Sequence, residues 1–290
     1  MSNNNKISGA EAVIRSLIEE GVDLIYGYPG GAIMPIYDEL YKFQEKLNHV
    51  LTRHEQGATH AAQGYARVSG KVGVVTATSG PGATNLVTGI ADAQIDSTPM
   101  VCITGQVASH LLGSDAFQEC DIIGISTPVT KWNCQITRAS DIPEVIAKAF
   151  YIAKSGRPGP VLIDITKDAQ FELMEFKYKK CHSIRSYTPI PKFSINEINK
   201  AAELINSSKK PFIVWGQGVT LGNAETEFKE FIEKTGIPAA STILGLSALS
   251  TDHPLHVGML GMHGNYGPNV LTNECDLLIA LGSRFDDRVT

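Results

Sequence analysis

Apolar residues recur at Ala12, Val13, Leu17 and Ile18, behind a Ser8-x-x-Glu11 pair of capping-box type and ahead of Gly21, which predicts a first helix. The period then changes. A short apolar run, DLIYG, feeds the loop YPGGAI, and IMPIYDELYKF reads as the next helix. HVLTR and VGVVTAT are strand-like, residues 55–69 and TNLVTGIADAQ helical, PMVCITG strand-like, DIPEVIAKAFYIAKSG helical, and PVLIDIT a closing strand. Such alternation predicts an α/β fold, with a parallel sheet covered by helices over residues 1–170. Between Asp168 and Lys192 the periodicity fails, and the charged, proline-containing KYKKCHSIRSYTPIPK places an exposed connection at 171–192. Beyond it, SINEINKAAELINSS reads as a capped amphipathic helix, PFIVWG as a strand and TEFKEFIEKTG as a helix, beginning a second α/β unit at 193–290. Its last strand, DLLIALG, runs straight into SRFDDRVT, so an incomplete Rossmann-like unit is expected.

Composition narrows the partners. With 290 residues, 43% of them hydrophobic, the chain can bury the cores of two domains. A formal charge of -5 provides no basic footprint for nucleic acid or an anionic membrane, which leaves small molecules as the expected ligands. The start, MSNNNK, has no signal-peptide pattern, and no apolar run approaches the roughly 18 residues of a spanning helix, so a cytoplasmic protein is expected. The five cysteines are odd in number, widely spaced and without a C-x-x-C pair, which fits reduced thiols rather than disulfides or a zinc knuckle.

Three stretches carry candidate chemistry. In LTRHEQGATHAAQGYARVSG, Glu55 stands between His54 and His60, but a zinc-protease helix needs its second histidine four positions after the first, where this chain has Ala58. No metal site is expected there. An acid at a helix start is also accounted for by the helix dipole alone. In TATSGPGATNLVTG a strand feeds Gly80, Pro81 and Gly82 and then a helix expected near Thr84; Gly27 to Gly31 makes a similar turn. Both permissive loops fall at carboxyl ends of strands, where open α/β sheets bind ligands, and either is also explained as a tight turn. WGQGVTLG is one residue off the dinucleotide fingerprint. Arg157 and the arginines of SRFDDR suit a diphosphate, although arginines beside aspartates also form ordinary surface ion pairs.

In order, GYPGGAIMPIYDEL, RHEQGATHAAQGYAR, TSGPGATNLVTGIADA, GSDAFQE, GRPGPVLIDITKD, LGMHG and SRFDDRVT closely resemble the large catalytic subunits of acetolactate synthases, within the thiamine-diphosphate enzymes. The resemblance runs from about Ser8 to Thr290. RHEQGA and the glycine-rich loops are shared widely among thiamine-diphosphate enzymes, whereas GSDAFQE, LGMHG and RFDDRVT are narrower. It implies a pyrimidine-binding domain at 1–170 and part of a FAD-associated central domain at 193–290. It also implies that Glu55 bonds N1′ of the cofactor's aminopyrimidine and manages its proton, a task that burial against an apolar ring would assist. Small residues at 57, 58, 61, 62 and 64 leave room for packing beside that acid, with His54 and His60 as packing or supporting groups.

By the same resemblance Tyr28, Pro29 and Gly30 line the pyrimidine pocket with Pro81 and Asn85 nearby, Gln118 reaches the reaction centre, and Ala32, Ala108, Phe117 and Lys167 line the substrate channel. Ala108 stands where many plant members have proline. FAD without a redox role would be held by Arg157, Gly216, Gly218, Thr242, Leu260, Gly261, Met262, His263, Gly264, Arg284, Asp286, Asp287 and Arg288. Mg²⁺ and the cofactor's diphosphate belong in the family to a third, carboxyl-terminal domain with a Gly-Asp-Gly motif that these 290 residues do not supply, so the chain alone is expected to be an inactive fragment. The implied reaction is decarboxylation of pyruvate and condensation with a second 2-keto acid, pyruvate or 2-ketobutyrate, giving 2-acetolactate or 2-aceto-2-hydroxybutyrate for valine, leucine and isoleucine. A homodimer or higher oligomer is implied, with a small regulatory subunit as a further partner. The alternatives are a sister enzyme such as pyruvate oxidase, whose flavin would do redox work, a glyoxylate carboligase, against which Glu55 argues, and a non-catalytic remnant.

Overall fold

The computed structural model describes residues 6–289; the amino-terminal stretch read above for a targeting signal lies almost wholly outside the described residues, as does Thr290. The chain divides between Pro191 and Lys192 into two compact units. The first runs β1 (Lys6–Ser8), α1 (Gly9–Glu19), β2 (Leu24–Gly27), α2 (Met34–Lys42), β3 (Asn48–Leu51), α3 (Glu55–Ser69), β4 (Gly73–Ala77), α4 (Pro81–Asn85), α5 (Val87–Ile95), β5 (Met100–Gln106), α6 (Ile122–Ser126), β6 (Trp132–Ile136), α7 (Ile142–Lys154), β7 (Pro160–Thr166), α8 (Lys167–Phe171) and β8 (Leu173–Glu175). Six strands form one parallel sheet in the order β3-β2-β4-β5-β7-β6.

This order matters for function. The chain leaves β2 to place β3 on one side and returns to place β4 on the other, so the strand order reverses at β2. Ligands of open α/β sheets collect at such a reversal, outside the carboxyl ends of the strands. Every residue of β5 and β7 is buried, as expected of central parallel strands with helices on both faces. One face packs Val13, Leu17, Ile146 and Phe150 against Val101, Ile103 and Ile163. The other packs Ala58, Ala62, Leu86 and Ile90 against Val75, Cys102 and Leu162.

Several expectations are corrected in detail. Ser8 caps α1 by accepting from the Glu11 N–H at 3.1 Å, but the Glu11 carboxylate turns to Arg15 instead of closing a capping box. The helix expected to begin near Thr84 begins at Pro81, where proline's missing N–H costs nothing, and is divided into α4 and α5. Residues 171–191 are no free connection: β8 pairs antiparallel with β1, the Tyr178 hydroxyl bonds Glu20, and the Lys131 ammonium bonds the Tyr187 hydroxyl. Apolar Met174 and aromatic Phe176 and Tyr187 anchor a segment whose lysines suggested solvent.

The second unit comprises α9 (Ile195–Ser207), β9 (Pro211–Trp215), α10 (Gly218–Leu221), α11 (Glu225–Thr235), β10 (Ala239–Ser241), β11 (His256–Met259), α12 (Tyr266–Glu274) and β12 (Leu277–Leu281). Its sheet is parallel, in the order β11-β10-β9-β12, around Ile213, Trp215, Phe228 and Ile232. Ser194 makes no side-chain cap for α9, contrary to the reading of SINEINKAAELINSS. No described helix is long and apolar enough to cross a membrane.

Candidate active site at the carboxyl ends of β2, β3 and β4

Three loops meet where the strand order reverses. The first, after β2, is Tyr28 to Ile33; the second, after β3, ends in His54 and Glu55; the third, after β4, runs from Thr78 to Pro81. Thr78 fastens the first to the third. Its Oγ1 accepts the Ala32 N–H at 3.1 Å, and its methyl and Cβ fill the space a Cβ on Gly30 would need, 2.5 Å away. Gly30 is therefore required by this close approach.

Glu55 is the first residue of α3 and only 8% exposed. Asn85, the last residue of α4, donates its amide to Glu55 Oε2 at 3.0 Å. No protein donor among the described residues reaches Oε1, which lies on the side of Gly82, where an added Cβ would come within 3.3 Å of it. Oε1 is not among the fully buried unpartnered oxygens, so on a residue otherwise buried it faces open space. One oxygen is held, and the other is open to a ligand. The two histidines stay out of this arrangement: His54 Nδ1 accepts the Gln56 N–H at the helix cap, and His60 lies beside Asp92 and Gln63. Among the described residues no group of three or more His, Cys, Asp or Glu is placed to hold a metal ion.

Tyr37, His49 and Thr76, which the sequence did not single out, sit behind the cradle. The Tyr37 hydroxyl bonds Thr76 Oγ1 at 2.9 Å and His49 Nε2 at 3.3 Å. Burial pushes the Tyr37 hydroxyl up to about 12 against the opposing Thr76 hydrogen bond, and the nearby Glu55 carboxylate adds to the rise. Burial pushes the His49 imidazole down. Thr78 was missed as well, although a threonine just before a Gly-Pro-Gly turn is a usable sign of loop fastening.

Of the other pocket candidates, Tyr28, 42% exposed, and Pro29 stand at the surface of the first loop, and Pro81 is exposed at the start of α4. Gln118 approaches through its backbone: a Cβ on Gly80 would lie 2.7 Å from the Gln118 carbonyl oxygen. Phe117 beside it is 86% exposed. Ala32 packs against the end of β5, because Gly105 leaves no Cβ to meet its carbonyl, and that carbonyl accepts from Gln170 at 2.8 Å. Ala108 precedes a turn whose Ser109 donates its N–H, at 2.9 Å, and hydroxyl to Asp168, next to Lys167. Burial would raise the Asp168 carboxyl, but the Ser109 hydrogen bonds outweigh it and hold it at about 2.

The flavin candidates separate into two groups. In the second unit Gly216, Gly218, Thr242, Leu260 and Arg284 fall at or just past the carboxyl ends of β9, β10, β11 and β12. Gly216 and Gly218 approach the backbone of Gly282 so closely that a Cβ would meet it at 2.6 Å, and the helix after them has only four residues. These glycines thus serve local packing, and WGQGVTLG forms no dinucleotide-binding helix. Gly261 abuts the carbonyl of Arg288, the Met262 N–H donates to the same carbonyl at 2.8 Å, and Arg284 pairs with Asp286 at 2.5 Å. Gly264 packs on the Met259 carbonyl, His263 adjoins it in the same turn, and Asp287 lies 3.6 Å from the Arg288 guanidinium. Two buried hydroxyls at this edge, Ser241 and Ser283, lack partners, which suits a polar ligand. Arg157 belongs to the first unit and is engaged there, donating to Ser97 Oγ at 2.7 Å and to the Ile95 carbonyl at 2.9 Å.

Comparisons with known proteins identify the two units. Residues 7–125 match the thiamine pyrophosphate enzyme N-terminal TPP binding domain, and residues 198–290 match the thiamine pyrophosphate enzyme central domain. The acetolactate synthase large subunit of Corynebacterium glutamicum is 52% identical over 285 residues, covering 98% of this chain and 45% of that protein. The acetolactate synthase large subunit of Lactococcus lactis is 49% identical over 283 residues, covering 97% of this chain and 49% of its own length. That of Buchnera aphidicola from Schizaphis graminum is 50% identical over 287 residues, covering 98% and 50%. The chain thus spans about half the length of the curated relatives it matches. It belongs to the thiamine pyrophosphate enzymes, of which it carries the N-terminal and central domains.

Proposed function

We propose that the complete protein is an acetolactate synthase large subunit, acting on pyruvate and a second 2-keto acid with thiamine diphosphate held at the Glu55 cradle. The observation that carries this reading is the half-satisfied carboxylate: Asn85 occupies Glu55 Oε2 and leaves Oε1 to a ligand, at the carboxyl edge of the sheet where its strand order reverses. Thiamine diphosphate, when bound, supplies a thiazolium that stabilises carbanions, and the protein supplies orientation, proton management and exclusion of water.

In this reading Glu55 Oε1 holds the proton exchanged with the aminopyrimidine ring, and Asn85 keeps the carboxyl from rotating away. Thr78 fixes the spacing of the two loops that flank the ring, and Tyr28 and Pro29 offer it an apolar surface. Gln118, Phe117, Ala108 and Lys167 lie toward the substrate, and Gln118 provides a polar side chain for the keto acid. FAD fits the orphaned Ser241 and Ser283 hydroxyls and the arginines of the second unit, in a binding role that lends no electrons. Mg²⁺ would accompany the diphosphate; among the described residues no cluster of His, Cys, Asp or Glu is placed to hold it.

The test is acetolactate formation by the product of the complete reading frame, with thiamine diphosphate and Mg²⁺, beside its Glu55→Gln variant and the 290-residue chain. The variant is expected to lose at least about 100-fold in kcat/KM, the lower range for a positioned acid or base. The 290-residue chain is expected not to turn over. Pyruvate that reduced the bound flavin without forming acetolactate would identify an oxidase instead.

A further inference from the structure

Buried between β5, β6 and β7 is a carboxylate that the proposed chemistry does not use. Asp164, on β7, is 0% exposed. Its Oδ1 accepts the Thr104 hydroxyl at 2.6 Å, and its Oδ2 accepts the side-chain amides of Gln106 at 3.1 Å and Gln135 at 2.9 Å. These donors are all neutral. The titratable groups that face it are Asp121, at the N-cap of α6, and the Cys120 thiol, and neither brings positive charge. Burying a carboxylate without a cation is expensive, and an amide or an apolar side chain would fill the space at lower cost.

The carboxylate is one of three groups that hold the Gln106 amide in place, and the one of them that carries charge. An ionised carboxylate only accepts, so the NH₂ of Gln106 must face it. Gln106 Oε1 then accepts the Val107 N–H at 2.9 Å, and its Nε2 also donates to the Cys120 carbonyl at 3.0 Å. Cys120 lies two residues past Gln118, whose backbone is left-handed at φ 58°, as is that of Asp115 at φ 54°. Non-glycine residues persist in that region only where their surroundings hold them there. Within the loop, Glu119 accepts from the Gly113 and Ala116 N–H groups; toward the core, the loop rests on Gly80 and on the Gln106 amide.

We infer that Asp164 is a positioning residue that acts through Gln106, fixing the 113–120 loop and with it Gln118 against the Glu55 cradle. The catalytic meaning of that position rests on the function proposed above; the mechanical coupling does not. Burial pushes the Asp164 carboxyl up to about 6, against the pull of its three hydrogen bonds, while Asp121 adds to the rise. The anchor therefore weakens as pH falls through that value, because a neutral carboxyl makes weaker hydrogen bonds than an ionised one.

The experiment is hydrogen exchange of the complete protein without cofactor, corrected for the intrinsic pH dependence, comparing wild type, Asp164→Asn and Gln106→Leu. In Gln106→Leu the amides of residues 113–120 are expected to exchange about tenfold faster while those of α3 and α7 keep their protection. Asp164→Asn should show the faster exchange at pH 8 and converge with wild type below about pH 6. Its melting temperature at pH 8 should equal or exceed that of wild type, because the buried charge is gone; a merely structural role would loosen the loop and lower the melting temperature together. Unchanged loop exchange in Gln106→Leu, or parallel pH curves for wild type and Asp164→Asn, would overturn the inference. Should the loop loosen as described while Glu55→Gln remains fully active, the coupling stands and the proposed function fails.

Discussion

Glu55 combines two properties that a capping acid does not need, burial and an exclusive amide partner. Replacing Asn85 by leucine removes the donor to Oε2 and should lower kcat/KM by about tenfold or more, the rate equivalent of a lost bond to a buried charged group. The readout is steady-state kinetics beside a melting curve, and an unchanged kcat/KM would mean that the carboxyl is oriented by something else. Asp164 offers a separate check on stability. Its folded carboxyl is raised from 3.8 to about 6, so the folded state binds more protons than the unfolded chain between those values, and the group's contribution to stability falls as pH rises from 3.8 through 6. Relieving it in Asp164→Asn should stabilise the protein by up to on the order of 3 kcal/mol at pH 8 and by much less at pH 4. Denaturant titrations at both pH values read this directly. Equal differences at the two would show that Asp164 titrates normally.

Gly80, at the turn from β4 into α4, has φ 58° and ψ -120°, and it admits the Gln118 backbone at a distance no side chain would allow. Gly80→Ala should therefore cost about 1–3 kcal/mol of stability and displace the 113–120 loop more than α3 or β4. Urea denaturation and loop-specific hydrogen exchange check both parts. Much of this architecture was legible in the chain: residues 55–69 and 160–166 are a helix and a strand with the limits the periodicity gave, because long regular runs with a glycine or proline at one end announce themselves. WNCQI was overlooked although Trp132, Cys134 and Ile136 alternate with polar residues as a strand requires. The three-residue strands β1 and β8 have no period to detect, and their pairing depends on contacts over 160 positions apart. The cradle was legible as glycines and an acid, but Thr78, Tyr37 and Asp164 were not, since each acquires its role from a partner distant in sequence.

Apart from Arg157, which precedes the amino end of β7, the two units each present candidate residues at the carboxyl edge of a parallel sheet, and the relatives they resemble are about twice as long. The proposed flavin site makes a prediction that does not depend on turnover: the complete protein purified with FAD should show flavin absorbance, and Arg284→Ala with Arg288→Ala should reduce its occupancy several-fold. Absorbance unchanged by both substitutions would remove those arginines from the site. The most direct measurement for the central claim is acetolactate formation from pyruvate by the complete protein and its Glu55→Gln variant, at saturating thiamine diphosphate and Mg²⁺. Formation by the wild type and a loss of at least about 100-fold in the variant is the expected result; comparable rates from both would contradict the assignment of Glu55 Oε1 as the proton-handling atom.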